Sequence, residues 1–225
     1  MSERDPQRPA ADDTRLRISE IFFSLQGETS RVGLPTVFVR LTGCPLRCVW
    51  CDSTYAFTGG QWQTLADIMA EVGQYAARYV CVTGGEPLAQ KACLPLLTAL
   101  CDAGYSVSLE TSGALDIDPV DQRVSRVVDL KTPGSGEAER NLWSNLALLR
   151  PQDEFKVVIA DRADYEWALQ KIRDNATFER CPVVFAPVQG QLAPATLAQW
   201  ILDDRLPVRF QLQLHKILWG NVAGR

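Results

Sequence analysis

The sequence predicts an α/β fold in the form of a partial, trimmed TIM-like barrel. Segments typical of strands alternate with segments typical of helices, which favours a largely parallel sheet with crossover helices. The predicted strands number about seven, which suits a barrel better than a small open sheet. The chain has 225 residues, and a complete eight-fold barrel takes about 250. We therefore expect an incomplete barrel that stays partly open.

The strand predictions rest on short runs rich in β-branched and aromatic residues. In chain order they are Val37–Leu41, Tyr79–Thr83, Ser106–Glu110, Arg126–Leu130, Glu154–Ala160, Val183–Ala186 and Val208–Leu214. The helix predictions rest on apolar residues at helical spacing and on start and stop signals. Helices are expected after Thr64, over Pro87–Ala103, and near Glu139–Leu149, Ala163–Arg173 and Ala193–Asp203, with a loop at residues 131–140.

The composition indicates one globular domain. Residues 1–16 are polar and lack the apolar core of a signal peptide, so we expect a flexible leader, a single domain over residues 17–225 and a cytoplasmic location. No apolar run approaches the roughly 20 residues that span a bilayer. The net charge of -4 and the pI near 5.1 offer no basic surface for nucleic acid. We therefore expect neither a membrane nor a nucleic-acid partner.

The chain contains seven cysteines, an odd number without an export signal, which argues against a disulfide framework. Cys81, Cys93 and Cys101 lie in apolar patterns and are interpreted as core residues. The role of Cys181 stays open.

Polar clusters follow the predicted strands at their C-terminal ends. Loops and helix N-termini gather at that end of a parallel sheet or barrel, and ligands bind there. The clusters are GGEP, ETSG, KTPG, PVQG and HK. The sequence therefore predicts one cavity lined by many strands.

The segment GCPLRCVWCD places Cys44, Cys48 and Cys51 at Cys-x3-Cys-x2-Cys spacing. Three thiolates can hold three irons of a 4Fe-4S cluster and leave the fourth iron open to a small molecule. A zinc site completed by His215 or Cys181 is the alternative.

The segment TGGEP follows a predicted strand about thirty residues after the cysteines. Its glycines let the backbone approach a ligand closely, and the Glu86 carboxylate could accept hydrogen bonds from an ammonium group. Alone, the segment could also be a simple turn.

Together these segments resemble the radical S-adenosylmethionine (SAM) superfamily, with Trp50 as the aromatic residue before the last cysteine and GGEP as the element that binds the SAM amino group. SEIFFSLQGE, residues 33–57, LETSG, DLKTPGSGE and RFQLQLHK further resemble the 7-carboxy-7-deazaguanine synthase family. The resemblance implies a 4Fe-4S cluster, SAM and Mg2+, with conversion of 6-carboxy-5,6,7,8-tetrahydropterin to 7-carboxy-7-deazaguanine and loss of ammonia, a step toward queuosine. It also implies a homodimer, and a flavodoxin or ferredoxin as electron donor.

The resemblance also assigns site residues by position. The cluster ligands would be Cys44, Cys48 and Cys51, and magnesium would bind Ser53, with Thr54 as the alternative. The pterin would meet Leu25, Gln26, Gly27, Glu28, Arg40, Thr83 and His215, of which Glu28, Arg40 and His215 are the candidate catalytic residues. SAM would meet Trp50, Asp52, Gly85, Glu86, Ser112, Asp129, Leu130 and Lys131.

Several of these residues also have a structural interpretation. Gln26 and Glu28 could cap a turn, and Arg40, a lone charge in an apolar strand, could form a buried salt bridge. His215, the only histidine, could make a structural hydrogen bond. Lys131 and Lys156 could be solvated charges, with Lys131 the better site candidate.

Two alternative functions remain at the level of sequence. A glycyl-radical-enzyme activase has the same cysteine spacing but acts on a protein loop, and the segments LQGE and LHK speak against it. A non-catalytic zinc-binding or cluster-binding module would bind metal without cleaving SAM.

Overall fold

The computed structural model describes residues 14–220, 222 and 224. Within them, one sheet of nine strands carries five α-helices. The strands are β1 (Arg15–Leu25), β2 (Pro35–Leu41), β3 (Gln61–Thr64), β4 (Tyr79–Gly84), β5 (Ser106–Thr111), β6 (Ser125–Leu130), β7 (Glu154–Ile159), β8 (Val183–Pro187) and β9 (Arg209–Phe210). The helices are α1 (Leu65–Gly73), α2 (Cys93–Asp102), α3 (Arg162–Asp174), α4 (Pro194–Asp203) and α5 (Leu214–Trp219).

The sheet is open, in the order β3-β1-β2-β4-β5-β6-β7-β8-β9. From β2 to β9 neighbouring strands are parallel, whereas β1 runs antiparallel to both β2 and β3. Across the described residues, the edge strands β3 and β9 do not pair with each other. This arrangement confirms the predicted partial barrel and adds an antiparallel hairpin at its N-terminal edge.

The sequence analysis missed β1 and β3. In β1, Leu16 and Ile18 are buried and alternate with Arg15 and Arg17, which is the period-two signal of a strand with one buried face. In β3 the run QWQT has no such signal, and its strand character comes from pairing with β1.

The predicted helix over Pro87–Ala103 is interrupted. A short 3-10 turn (Pro87–Ala89) is followed by α2, which begins only at Cys93. The break lies at Gln90, whose side chain donates hydrogen bonds to the carbonyls of Arg17 and Thr42, both at 2.9 Å, and accepts one from the Arg17 amide at 2.8 Å. These bonds fix Gln90 in an extended conformation that a helix does not allow.

Two other element predictions were wrong. The segment Glu139–Leu149 forms 3-10 turns rather than an α-helix. The side chains of Asn141 and Asn145 tie it to other parts of the chain, since they donate to the carbonyls of Lys131 and Leu115, both at 2.8 Å. The strand predicted over Val208–Leu214 is reduced to the two residues of β9, and Leu214 begins α5.

Two apolar clusters pack between the sheet and the helices. One joins α1 and α2 to the β1–β5 half, and the other joins α3 and α4 to the β6–β8 half. Cys81 and Cys93 are buried as predicted, whereas Cys101 is only partly buried. Cys181 is buried in the second cluster. The helices thus cover the outer face of the curved sheet and leave its inner face to the cavity.

The folded part of the chain begins slightly before the predicted boundary. β1 begins at Arg15, and Leu16 is fully buried, so these two residues belong to the domain rather than to the leader. Of the rest of the predicted flexible leader, Thr14 is described and residues 1–13 lie outside the described residues. Among the described helices, none has both the length and the apolar character required to cross a bilayer.

The two ends of the sheet are joined by loop contacts instead of strand pairing. The loop between β1 and β2, residues 26–34, reaches the chain that follows β9. The Leu214 amide donates to the Gly27 carbonyl at 2.9 Å, and the Gln211 side chain bonds to the backbone of Thr29. These contacts hold the first strand opposite the last strand across the cavity.

A buried ion pair fixes the opposite, N-terminal end of β6 and β7. Asp153 is fully buried and accepts hydrogen bonds from the backbone and guanidinium of Arg126 and from Arg150. Burial alone would raise the pKa of Asp153, but the hydrogen bonds from the two arginines outweigh it and lower that pKa. The carboxylate is therefore charged in the folded protein.

We predict that Asp153→Asn lowers the free energy of unfolding at pH 7 by about 3–5 kcal/mol, because it leaves the buried Arg126 without its counter-ion. Urea denaturation measures the loss, and Asp203→Asn, an exposed carboxylate on α4, is the matched control. The lowered pKa means that the ion pair stabilises above pH ~4 and is lost as the pH falls through the lowered value. The difference between wild type and variant should therefore narrow in acid, and a constant difference would contradict this assignment.

Candidate active site

A cavity of about 630 Å³ opens at the C-terminal ends of the parallel strands. It brings together all of the site residues predicted from the sequence except Glu86. These lining residues are Leu25, Gln26, Gly27, Glu28, Arg40, Cys44, Cys48, Trp50, Cys51, Asp52, Ser53, Thr83, Gly85, Ser112, Asp129, Leu130, Lys131 and His215. The C-terminal ends of β1, β2, β4 and β6, the loops after β1, β2, β4, β5 and β6, and helix α5 supply them.

The three cysteines lie in the loop after β2, where each thiol is free and partly exposed to the cavity. Across the described part of the chain, no three His, Cys, Asp or Glu side chains converge on a point that could hold a single ion. A 4Fe-4S cluster takes one thiolate on each of three different irons, and Cys44, Cys48 and Cys51 all line the one cavity. Cys181 is buried in the α3–α4 core and does not join them.

The cysteine loop is anchored on three sides. Its Val49 amide donates to the Ser135 carbonyl at 3.0 Å, and its Arg47 amide donates to the Glu137 carboxylate at 2.5 Å. Before the first cysteine, the Gly43 amide donates to the Ala56 carbonyl at 2.8 Å. Burial raises the pKa of the Cys44 and Cys48 thiols, and metal ligation would deprotonate them.

The two glycines of TGGEP are required by contacts within the chain itself. A Cβ atom on Gly84 would lie 2.3 Å from the Leu41 carbonyl oxygen, and one on Gly85 would lie 2.3 Å from the Gly43 carbonyl oxygen. A Cβ on Gly85 would also lie 2.8 Å from the Cys44 side chain. The glycines therefore let the end of β4 pack against the cysteine loop, in addition to any approach to a ligand.

The Glu86 carboxylate does not line the cavity. It is fully buried and accepts hydrogen bonds from the Ser112 amide (2.6 Å), the Thr111 hydroxyl (2.9 Å) and the Leu88 amide (3.0 Å). Contact with a SAM amino group would require these bonds to break. In this structure Glu86 instead joins the ends of β4 and β5, and its neighbours Gly85 and Ser112 line the cavity.

A chain of buried charges forms one wall of the cavity. The Lys156 ammonium pairs with the Glu28 carboxylate and lies 3.9 Å from an oxygen of Asp129. The same Asp129 oxygen lies 3.1 Å from the Lys131 ammonium. Burial by itself would lower the pKa of each lysine, but the carboxylates outweigh it and raise both pKa values. Both lysines therefore carry a charge, and neither is the solvated surface residue considered from the sequence.

Two carboxylate oxygens in this wall have no partner. Glu28 Oε1 and Asp129 Oδ1 are both buried without a hydrogen bond to any described residue. An unpaired buried acceptor is costly. These two oxygens are therefore positions where the donor groups of a ligand would be stabilised.

Lys156 and Glu110 are site residues that the sequence analysis did not assign. Glu110 lines the cavity and accepts hydrogen bonds from the Gln26 side-chain amide at 3.2 Å and the Thr83 hydroxyl at 2.9 Å. Lys156 is a charge within the apolar run EFKVVI, which is the signal that pointed to Arg40. Glu110 lies in SVSLET among serine and threonine, where that signal is lacking.

Arg40 lines the cavity while one edge of its guanidinium is already paired. Its Nε atom lies 2.7 Å from Glu20, and the Tyr55 hydroxyl donates to the same Glu20 oxygen at 2.7 Å. The guanidinium carbon lies 5.8 Å from the ring centroids of both Phe22 and Tyr55. The salt bridge and the ligand role are thus compatible, because Glu20 binds Nε and leaves the two terminal nitrogens of Arg40.

Ser53 lines the cavity, whereas Thr54 is exposed at the start of a 3-10 turn. The Ser53 hydroxyl donates to Asp52 at 2.9 Å, and the other oxygen of Asp52 lies 3.0 Å from the Lys216 ammonium. Between the two hydroxyls, the geometry favours Ser53 as a ligand for a hard cation.

The sequence predicted His215 at the end of a strand, but in the structure it lies on α5. Its ring packs directly on Gly27, where an added Cβ would lie 2.1 Å from Nδ1. Burial lowers the pKa of His215. The imidazole is therefore neutral at pH 7, so that one ring nitrogen can donate a hydrogen bond and the other can accept one.

The sequence-family model of the radical SAM superfamily matches residues 38–174 of this chain. The 7-carboxy-7-deazaguanine synthase of Chlorobaculum tepidum is 51% identical over 211 residues, which cover 92% of this chain and 96% of that protein. The synthase of the same name from Koribacter versatilis is 43% identical over 219 residues, covering 91% and 97%.

A solved structure shares the fold. The crystal structure of QueE from Escherichia coli superposes with a TM-score of 0.74 at 24% identity, covering 89% of this chain and 95% of that one. Together with the identity to the two synthases over almost the whole chain, the match of the superfamily model shows the family. The chain belongs to the 7-carboxy-7-deazaguanine synthase family of radical SAM enzymes.

Proposed function

We propose that this enzyme converts 6-carboxy-5,6,7,8-tetrahydropterin to 7-carboxy-7-deazaguanine with release of ammonia. The single observation that carries the proposal is that the cysteine loop, Arg40 and the carboxylates Glu28 and Glu110 face one cavity of about 630 Å³. The same cavity therefore contains cysteines that can bind a metal cluster, the Arg40 cation that can bind a substrate carboxylate, and the Glu28 and Glu110 carboxylates that can accept hydrogen bonds from a pterin. No observation favours the activase or the zinc module.

Arg40 would bind the substrate carboxylate. Its Nε is held by Glu20, so the two terminal nitrogens can form paired bonds to a carboxylate, which suits the planar guanidinium. At the other end, the amide and amino groups of a pterin are donors. Glu28 Oε1 is an unpaired acceptor, and Glu110 is held nearby through Gln26.

As a radical SAM enzyme the chain uses a 4Fe-4S cluster and SAM. When bound, this pair supplies a carbon-centred radical that removes hydrogen from the substrate. Cys44, Cys48 and Cys51 would hold the cluster, and Gly85 and Ser112 would approach the SAM amino group in place of Glu86. The unpaired oxygen of Asp129 would accept a SAM hydroxyl, and the surrounding loops exclude water from the radical.

Magnesium would bind at Ser53 and orient the substrate carboxylate. Serine and carboxylate oxygens are suitable ligands for a hard cation, and Asp52 already accepts the Ser53 hydroxyl. We further infer a homodimer, a low-potential flavodoxin or ferredoxin as electron donor, and a cytoplasmic location, in keeping with the family.

The direct test is anaerobic turnover. Reconstituted protein should be brown and should form 7-carboxy-7-deazaguanine from the tetrahydropterin with SAM, dithionite and Mg2+. Removal of Mg2+ with EDTA should slow product formation, and added Mg2+ should restore it. Absence of product with a fully loaded cluster would refute the substrate assignment.

We predict that Arg40→Lys raises KM for the carboxylated pterin about 10-fold or more, because a single ammonium cannot form the paired bonds of a guanidinium. SAM cleavage in the absence of substrate should stay near wild type. Arg162→Lys, at an exposed ion pair on α3, is the control. An equal loss of substrate-free SAM cleavage would show that Arg40 supports the fold and not substrate binding.

We predict that Gly85→Ala lowers the iron content and weakens SAM binding, because the new Cβ would displace the Gly43 carbonyl and the Cys44 side chain. Iron analysis after anaerobic reconstitution and equilibrium dialysis of SAM measure the two effects. Gly73→Ala, in α1 with no atom closer than 4.0 Å to the added Cβ, should keep full iron. A variant with wild-type iron and SAM affinity would contradict the packing argument.

A further inference from the structure

Thr29, in the loop after β1, has an unfavourable backbone conformation. Its φ is 70°, in the left-handed region that β-branched residues seldom adopt, and its side chain is buried. Such a conformation persists only where surrounding contacts hold it, and it occurs often at functional sites. The residue before it is Glu28, which faces the cavity.

Gln211 holds Thr29 in this conformation. Its side-chain oxygen accepts the Thr29 amide at 2.5 Å, and its side-chain nitrogen donates to the Thr29 carbonyl at 2.9 Å. The amide of one side chain thus satisfies both backbone groups of the strained residue. Gln211 is itself buried and is fixed by its own amide, which donates to the Phe185 carbonyl at 2.9 Å and continues the pairing of β9 with β8.

The following two residues are tied to other strands. The Glu154 carboxylate accepts the Ser30 amide at 2.9 Å and its hydroxyl at 2.6 Å, and Arg31 donates to the Ser106 carbonyl at 2.9 Å. These contacts hold the far side of the loop against β7 and β5. Within the loop, the Thr29 hydroxyl accepts the Arg31 amide and the Thr29 carbonyl accepts the Val32 amide, both at 3.3 Å. From outside the loop, Gln211 accepts the Thr29 amide and so restrains the peptide between Glu28 and Thr29 from the side of β9.

The conformation of Thr29 sets the direction in which Glu28 leaves the loop. One Glu28 oxygen pairs with Lys156, and the other is the buried acceptor without a partner. If Thr29 relaxed to a negative φ, the peptide that joins it to Glu28 would turn. Glu28 would then move relative to Lys156 and to any ligand in the cavity.

We propose that Gln211 is a positioning residue for the pterin substrate, which it serves by holding Thr29 in the left-handed conformation that aims Glu28 into the cavity. This inference rests on the proposed function for the identity of the ligand.

The test compares Gln211→Ala, Gln211→Glu and the double variant Gln211→Ala with Thr29→Gly, all as reconstituted holoenzyme. Gln211→Ala should lower kcat/KM for the tetrahydropterin on the order of 10- to 100-fold, mainly through KM. Iron content and substrate-free SAM cleavage should stay at wild-type levels. Glycine adopts a positive φ without strain, so the double variant should recover at least 5-fold of the loss, an order-of-magnitude expectation.

Gln211→Glu keeps the acceptor for the Thr29 amide but loses the donor to its carbonyl, and should fall between wild type and Gln211→Ala. If Gln211→Ala does not fold, the kcat/KM of Gln211→Glu still tests whether Gln211 positions the loop. Gln199→Ala, an amide on α4 that bonds to Asp203, should behave as wild type. A double variant no better than Gln211→Ala, or SAM cleavage that falls in parallel with turnover, would overturn the inference.

Hydrogen exchange separates this inference from the proposed function. The backbone amides of residues 26–34 should exchange faster in Gln211→Ala than in wild type. In Gln199→Ala their exchange rates should equal those of wild type. If wild type does not convert the pterin, the proposed function fails while the exchange rates still show whether Gln211 holds the loop. If wild type converts the pterin and Gln211→Ala equals it, only the positioning role is refuted.

Discussion

The contact between the loop after β1 and the chain after β9 is the constraint on which the rest of this structure depends. The sheet is open, and among the described residues its edge strands β3 and β9 do not pair with each other. The hydrogen bonds from Gln211 to Thr29 and from Leu214 to Gly27 bring the two ends together across the cavity. The same bonds place the His215 ring on Gly27, the residue before Glu28, so the contacts that join the two sides of the open sheet also bring together residues of the cavity.

Charge balance is the second organising feature of the cavity. Lys156 is buried and Lys131 is partly buried, and each is paired with a carboxylate, because an unpaired charge in a low-dielectric interior would be costly. The balance leaves two carboxylate oxygens, on Glu28 and Asp129, without donors. The site is therefore already assembled around the positions where ligand donors are expected, and hydrogen bonds to these buried oxygens are strengthened by the low dielectric of the interior.

The cysteine loop depends on the neighbouring strand ends as much as on its own sequence. Gly84 and Gly85 have no Cβ, and this allows the end of β4 to lie against the backbone of the loop. Glu86, which follows them, turns inward and holds the end of β5. The segment TGGEP thus acts through packing and through its backbone, which a sequence motif by itself does not reveal.

The sequence by itself determined the cysteine spacing, the strand and helix alternation, and the gathering of polar clusters at the strand ends, because these follow from local patterns in the chain. It did not determine the direction of Glu86, the helical position of His215, or the roles of Lys156, Glu110 and Gln211. Each of these depends on a partner far away in the sequence, such as Glu28 for Lys156, 128 residues apart, and Thr29 for Gln211, 182 residues apart. Only the tertiary structure decided them, because a buried charge or amide is defined by the partner that compensates for its lost hydration.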